Sequence, residues 1–491
     1  MDSHDIALLL RSHSPVLVLE THEETRAVEL MKEISLSMGS AISRWSVATG
    51  LQRIDLVMDS QVHLKEPDKV LGHIRSSGFE GVYLLLDFHP FLTDPIIVRL
   101  LKEVALAMRK SRSKLVLISH DLTIPPEIKK LTVNVTLSLP DEQTLLEIVR
   151  REASDYARSN SNQRVNTDQK SLDQLVNHLK GLTYNDARSL ARAAIIDDGA
   201  INASDIPQVM QAKYDLLSGN DLLGFEFETS NFSQLAGMHI LKKWLYQREK
   251  FFHQVKGLPA MDRPKGILLL GVQGCGKSVA AKAVAGIWNV PLLRMDFGSL
   301  YNKYVGETES NLREALKTAE IMAPCVLWID EIEKGISVSD HDDGTSQRIL
   351  GTMLTWMAEN DAPVFIVATS NDIQRLPPEL IRKGRLDEVF FVDLPSAEVR
   401  REIFRIHADK RELDIAGLDL ERLTNLTDGF SGAEIEQLVV SAIYTSHAAD
   451  EPVSTELLEE EIRNTRPLSI LMAEKIDALR HWSQGRAVSV D

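Results

Sequence analysis

Short apolar runs, each closed by a glycine, a proline or an acid, alternate along the chain with longer stretches whose apolar positions recur every three or four residues. Runs with no polar face read as strands buried on both sides of a parallel sheet, and the periodic stretches read as the helices that cover it. In the first half the strands fall at Pro15 to Glu20, Val82 to Asp87, Lys114 to His120 and Val135 to Pro140, with a helix from about Glu23. In the second half they fall at Gly266 to Leu270, Val290 to Asp296, Val326 to Asp330, Val364 to Asn371 and Val389 to Pro395. The expected fold class is α/β.

The two halves follow one order, which predicts that the first is a degenerate copy of the second. Val82 to Asp87 answers to Val326 to Asp330, with Phe88 where the second half has Glu331. Ile124 to Ile128 echoes Leu376 to Leu380, and Gly181 to Arg188 echoes Gly429 to Glu434. After its first strand, however, the first half has Thr21, His22, Glu23 and Glu24, with no glycine or lysine to cradle a phosphate. The polar stretch from Ser159 to Gln163 reads as a surface insertion, and Leu216 to Asp221 has the composition of a linker. The expected domains are residues 1–215, 222–396 as a large α/β subdomain, 397–450 as a helical lid, and 451–491 as a helical tail whose Leu468, Leu471, Ile476, Leu479 and Trp482 pack on the lid or on a neighbouring copy.

The chemistry concentrates after Gly266 to Leu270. Gly271, Gly274, Cys275, Gly276, Lys277 and Ser278 form a glycine-rich turn between a buried strand and the helical stretch beginning at Val279. Such a turn lets backbone N–H groups and the helix dipole converge on phosphate oxygens, with Lys277 reaching the β- and γ-phosphates and Ser278 holding Mg²⁺. At the end of the strand Val326 to Asp330, Asp330 is suited to the Mg²⁺ shell and Glu331 to polarising the attacking water. Asn371 closes another apolar strand beside it, either as a turn former or near the γ-phosphate. Arg385 sits on a basic turn, either solvated or completing a neighbour's site.

With 491 residues, 44% hydrophobic and 26% charged, the chain has the composition of a multidomain globular protein, and no apolar run approaches a bilayer span. The opening Met1 to Asp5 carries acid rather than the basic start of a secretory signal. The net charge of −16 argues against broad nucleic-acid coating. Of the two cysteines, Cys325 precedes a strand and Cys275 lies in the glycine-rich turn, as a steric fit or as a redox-sensing thiol. No His-Glu-x-x-His zinc-protease motif occurs.

Together, Gly271 to Ser278, Val326 to Glu331, Asn371, Pro378 to Asp387, Arg401 to His407 and Thr427 to Ala433 resemble the AAA family of ATPases within the AAA+ superfamily, over about residues 225–445. The resemblance implies a P-loop AAA+ parallel sheet with a small helical lid, preceded here by a degenerate AAA-like α/β domain lacking the P-loop. It implies ATP and Mg²⁺ as cofactors, with ATP hydrolysed at the interface of a ring, usually a hexamer. By match to the family's motifs, Asn371 is sensor 1, Arg385 the first arginine finger, His407 a nucleotide-contacting lid residue, and Gly432 and Ala433 the start of the sensor 2 helix. Phe232 to Met238, with Gly237, resembles the segment that packs on adenine, and Lys303 to Gly306 a pore loop with Tyr304 gripping a threaded chain. Two features depart from the family: Glu388 stands where a second arginine finger is common, and Met357 to Asp361 replaces the usual intersubunit signalling segment.

The P-loop spelling, the degenerate first half and the tail from Thr465 to Trp482 further resemble AAA proteins of cyanobacteria and algal plastid genomes. That implies a cyanobacterial cytoplasmic or plastid-stromal ATPase, free of the membrane, with a regulatory role in photosynthetic carbon use. Two readings of function stand side by side. One is a ring motor that draws a macromolecule through its pore, protein rather than single-stranded nucleic acid. The other is a nucleotide-dependent switch or scaffold whose first half binds a partner.

Overall fold

The computed structural model describes residues 3–491 apart from 57, 78–79, 161–163, 203, 218–221, 227–234, 254–261, 298–306, 337–344, 383 and 415–416. Tyr304 and the adenine-loop residues Phe232 to Gln234 lie outside the described residues. The chain divides into two compact units, residues 1–151 with 181–189, and residues 152–180 with 190–491.

The first unit is built on a six-stranded sheet in the spatial order Gly50–Arg53, Ala41–Ser46, Gly81–Leu86, Lys114–Ser119, Val16–Glu20 and Thr132–Val135. All neighbours run parallel except the pair at the Gly50–Arg53 edge. Every residue of Gly81–Leu86 and Lys114–Ser119 is buried, because helices cover both faces. Helices Pro67–Ser76 and Pro95–Met108 close one face around Trp45, Leu85 and Leu117, while Ser3–Arg11 and Glu24–Ser37 close the other around Leu17, Leu84 and Val116.

The second unit carries a seven-stranded sheet in the order Val488–Ser489, Glu388–Val392, Gly266–Gly271, Val364–Ser370, Cys325–Asp330, Leu292–Asp296 and Leu223–Glu226. Only Leu223–Glu226 runs antiparallel to its neighbour. The five strands from Glu388–Val392 to Leu292–Asp296 repeat the order of the five parallel strands of the first unit. The repeat fixes a register that spacing alone leaves ambiguous by one residue. Gly81–Leu86 and Cys325–Asp330 are equally long, and the residues just past their ends, Asp87 and Glu331, share a left-handed backbone with φ of 49° and 46°. Asp87, rather than Phe88, therefore occupies the place of Glu331, and Phe88 turns into the core, fully buried against Trp45.

Helices Lys277–Trp288 and His239–Phe252 cover one face of this sheet, and Glu307–Met322 and Thr345–Glu359 the other. The lid has its own core of Phe404, Leu423, Phe430, Ile435, Leu438 and Leu458. Leu458 belongs to helix Thr455–Asn464, so the lid core extends past residue 450 into the acidic helix. Farther on, Ile476 and Leu479 of helix Ala473–Ser483 bury themselves in the two cores of the large sheet rather than in the lid, and Leu471 stays 69% exposed. The tail ends on the edge strand Val488–Ser489, parallel to Glu388–Val392. A two-residue strand carries no periodicity to read, which is why the sequence predicts only helix there.

Candidate nucleotide site

The glycine-rich turn leaves the sheet where strand order reverses between Gly266–Gly271 and Val364–Ser370, the crevice at which open parallel sheets bind ligands. Gly271 has to be glycine, since a Cβ there would lie 2.0 Å from the carbonyl oxygen of Val392 on the adjacent strand. Gly276, with φ of 86°, turns the chain through the left-handed region into helix Lys277–Trp288. The helix thus starts with its free N–H groups facing the crevice.

A cavity of about 470 Å³ opens there. It brings together Gly274, Cys275, Gly276, Lys277, Ser278 and Val279 with Asp330, Glu331, Asn371, His407, Gly432 and Ala433. Gly271 lies beneath, lining a small adjoining pocket, and the neighbours of Gly237, Ala236 and Met238, form part of the wall. Gly237 itself has φ of 62°, and its N–H donates to Glu402 of the lid at 3.0 Å. Arg385 does not line the cavity: it sits on a separate turn, donating to the Glu379 carbonyl.

Lys277 is 7% exposed, and its ammonium donates to the carbonyls of Gly271 at 2.9 Å and Val272 at 2.8 Å. Burial pulls it down to about 8. The carbonyls satisfy the cation, but phosphate oxygens in the cavity would satisfy it better, being charged. Burial pushes the Cys275 thiol up to about 12, a direction that disfavours the thiolate there.

The carboxylates are oriented by a residue that motif reading overlooks. Thr369, 1% exposed on strand Val364–Ser370, donates its hydroxyl to Asp330 Oδ1 at 2.7 Å and accepts the N–H of Glu331 at 3.0 Å. Arg294, from Leu292–Asp296, holds Asp330 Oδ2 at 3.2 Å. Asn371 donates to Glu331 Oε1 at 3.1 Å, and Lys334 pairs with the other oxygen of Glu331. Glu333, 5% exposed, accepts the Asn371 N–H at 2.9 Å. One oxygen of Glu333 and Asn371 Oδ1 remain buried without a partner among the described residues, a pair of acceptors suited to an ordered water or a hydrated cation. Replacing Thr369 with Val keeps the shape and removes both hydrogen bonds, so turnover should fall by about 10–100-fold, as for other groups that orient metal and water ligands. Nucleotide affinity should stay within about threefold; a parallel measurement of steady-state hydrolysis and equilibrium binding decides it.

The lid closes the cavity from above. The Ala433 N–H donates to the carbonyl of Gly274 at 2.9 Å, docking the start of helix Gly432–Ala449 directly on the phosphate loop. Ser431 and Glu434 form a reciprocal cap on that helix, and Glu434 also accepts the N–H of Leu468 at 2.7 Å. His407 is half-buried, with Nδ1 3.4 Å from Glu436 and 3.2 Å from Arg411. Burial draws its pKa down, against the pull of Glu436, so a neutral imidazole faces the cavity near pH 7. The tail contributes as well. Arg480 grips Asp393 through both carboxylate oxygens at 2.9 and 3.1 Å, and Val490 and Asp491 line the wall, with Asp491 accepting the His239 N–H at 3.0 Å. Apolar spacing marks the tail as a packing element; only the added edge strand brings Asp491 to the site.

Residues 267–394 match the profile of the ATPase family associated with various cellular activities (AAA), residues 2–137 that of the SpoVK-like AAA ATPase N-terminal domain, and residues 143–220 that of its second domain. The chain is 34% identical over 492 residues to the uncharacterized AAA domain-containing protein ycf46 of Pyropia yezoensis, covering 99% of this chain and 98% of that one. The protein of the same description in Guillardia theta is 34% identical over 487 residues, 98% of this chain and 94% of its own. A proteasome-activating nucleotidase of Aeropyrum pernix is 35% identical over 277 residues, 53% of this chain and 65% of that protein. With a glycine-rich loop, a paired Asp and Glu, an Asn beside them and a docked lid around one cavity, and with relatives matched over nearly their whole length, the chain belongs to the AAA family of ATPases and hydrolyses ATP.

Proposed function

We propose that copies of this chain assemble into a ring that turnover requires, in which ATP with Mg²⁺ sits at the cavity of one copy and Arg385 of the next completes it. The observation that carries this reading is the cavity's own inventory: among its described lining residues there is no arginine, while Arg385 lies on a turn outside it. Hydrolysis of a nucleoside triphosphate develops negative charge that a guanidinium stabilises by roughly 10³–10⁵ in rate in other nucleotide hydrolases. Lys277 alone leaves that role unfilled. The cavity also presents Asp330, Glu331, Asp393, Glu436 and Asp491, an acidic wall that favours a nucleotide whose charge is offset by a divalent cation. Ser278 and Asp330 are the residues to hold that cation, which would polarise the transferred phosphoryl group.

The work done by the ring is remodelling or unfolding of protein, drawn past the segment that contains Tyr304. This reading is supported by the similarity to proteasome-activating nucleotidases, whose name ties them to a protein-degrading machine. The matches among ycf46 proteins support an origin in a plastid or a cyanobacterium. No helix among the described residues is long and apolar enough to cross a membrane. Neither the site nor the relatives carry a role in photosynthetic carbon use, and none is proposed. Glu388 at the start of its strand, where a second arginine finger is common in the family, favours the switch or scaffold as the competing reading, because it weakens the case for tight coupling between copies.

Mixing chains tests the shared site. Arg385→Ala and Glu331→Gln chains should each be nearly inactive alone, yet a mixture should regain part of the wild-type rate, because an intact cavity in one copy borrows Arg385 from the other. If Arg385 acts within its own chain, mixing restores nothing. In the same assay an unfolded protein should stimulate hydrolysis and single-stranded DNA should not. Stimulation by neither polymer supports the switch.

A further inference from the structure

The degenerate sheet of the first unit has no phosphate loop, but its strand ends still gather polar side chains. At the carboxyl ends of Gly81–Leu86 and Lys114–Ser119 it gathers Asp87, His89 and His120, one ligand atom from each lying within 4.8 Å of the others. Asp87 holds the place and the left-handed backbone that Glu331 has in the second unit. From this juxtaposition we propose that the amino-terminal unit binds a divalent transition cation of the zinc class through Asp87, His89 and His120, leaving a coordination position open.

Three further observations support the assignment. The Ser119 hydroxyl lies 2.7 Å from His89 Nδ1 and 3.3 Å from Asp87 Oδ1. A hydroxyl has one proton to give; donated to the carboxylate, it leaves the oxygen to accept Nδ1–H from the imidazole. That fixes the tautomer whose Nε2 carries the free lone pair, the arrangement by which outer groups prepare metal-binding histidines. The rings are also arranged about a common point. His89 stands at 79° to His120 with centroids 4.8 Å apart, and His22 stacks on His120 at 5.7 Å and 27°. His22 follows Val16–Glu20, where the second unit carries its phosphate loop, so the loop's loss and the imidazoles' arrival concern the same crevice.

Charge points the same way. Among the described residues, none of the three takes part in an ion pair. The chemistry of the donors, two borderline nitrogens and one oxygen, selects zinc-like ions over Mg²⁺ and Ca²⁺, which prefer oxygen throughout. Tetrahedral coordination at about 2.0–2.2 Å sets donor atoms roughly 3.3 Å apart, so the ligands need to close by about 1.5 Å, within reach of side-chain rotation at two exposed positions and the half-buried His89.

The test uses the full chain, free of any affinity tag, stripped with chelator and without nucleotide. Zn²⁺ content after dialysis and Co²⁺ absorbance on titration are read for the wild type and for Asp330→Asn, which removes the cation ligand of the ATPase site. Both should take up about one equivalent that excess Mg²⁺ does not displace, and Zn²⁺ should raise the melting temperature of both. His89→Ala and His120→Ala should lose this uptake and the thermal shift while keeping their far-ultraviolet circular dichroism, and Ser119→Ala should weaken affinity by about 10–100-fold. Uptake confined to chains with Asp330 intact, uptake unchanged in His89→Ala and His120→Ala, or no uptake by the wild type each overturns the proposal.

Discussion

Replacing Glu331 with Gln will leave nucleotide binding at wild-type strength and cut ATP turnover by about 10²–10⁴-fold, the range by which a positioned general base accelerates proton transfer. The structure explains why the effect is confined to turnover. Among the described residues Glu331 has no hydrogen bond or ion pair to Lys277 or the phosphate loop; its partners are Asn371, at 3.1 Å, Lys334, and Thr369 through its own N–H. A glutamine keeps the bond to the Asn371 amide and the left-handed backbone, but has no carboxylate to take a proton from water. Single-turnover hydrolysis beside equilibrium binding of a fluorescent nucleotide separates the two quantities. A Glu331→Gln chain that hydrolyses within about threefold of wild type would assign the base to Glu333, which is buried next to Asn371 with one oxygen free of partners among the described residues.

Removing the charge of Lys277 will weaken nucleotide binding by at least about a hundredfold, since hydrogen bonds between charged groups contribute about 1.5–3 kcal/mol each. The same substitution, Lys277→Met, carries an opposite consequence for the protein without ligand. Burial lowers the folded-state value of Lys277 from 10.5 to about 8, so the unfolded chain holds this proton more tightly. The penalty is fully present below pH 8 and disappears as pH rises from about 8 to 10.5. Lys277→Met should therefore be more stable than wild type at pH 7, by about 1–3 kcal/mol, allowing for the carbonyls of Gly271 and Val272 that lose their donor. Denaturant unfolding at pH 7 and pH 9.5 should show the difference shrinking at the higher pH. Nucleotide affinity of the wild type should weaken over the same interval, by about tenfold for each pH unit above 8, because the bound form needs the ammonium. A Lys277→Met chain less stable than wild type at pH 7 would mean that the lysine supports the loop instead of straining it.

Much of this protein is written in local pattern. Continuous apolar runs announce the parallel strands because both faces of each sheet are covered, and the glycines, Lys277 and Ser278 announce the phosphate loop because close backbone approach to phosphate tolerates few alternatives. Asp330 and Glu331 are legible as a pair from their position at a strand end. The order of the strands, hinted at by matching punctuation in the two halves, becomes a fact only in the sheets.

What the tertiary structure alone decides is whatever depends on a neighbour distant in sequence. Thr369 looks like any strand residue until register sets it against Asp330, and Asp87 is displaced by one residue from its apparent counterpart until the backbone turn at φ of 49° identifies it with Glu331. Asp393 is tied to Arg480, and Asp491 reaches the cavity wall, only because the tail adds an edge strand to the sheet. His89 and His120 are separated in the chain by helix Pro95–Met108 and strand Lys114–Ser119, and come together only when Lys114–Ser119 lies beside Gly81–Leu86. Periodicity and motif spacing record what a residue needs from its immediate backbone; hydrogen bonds and ligand geometry between strands depend on register, which packing selects and local sequence does not encode.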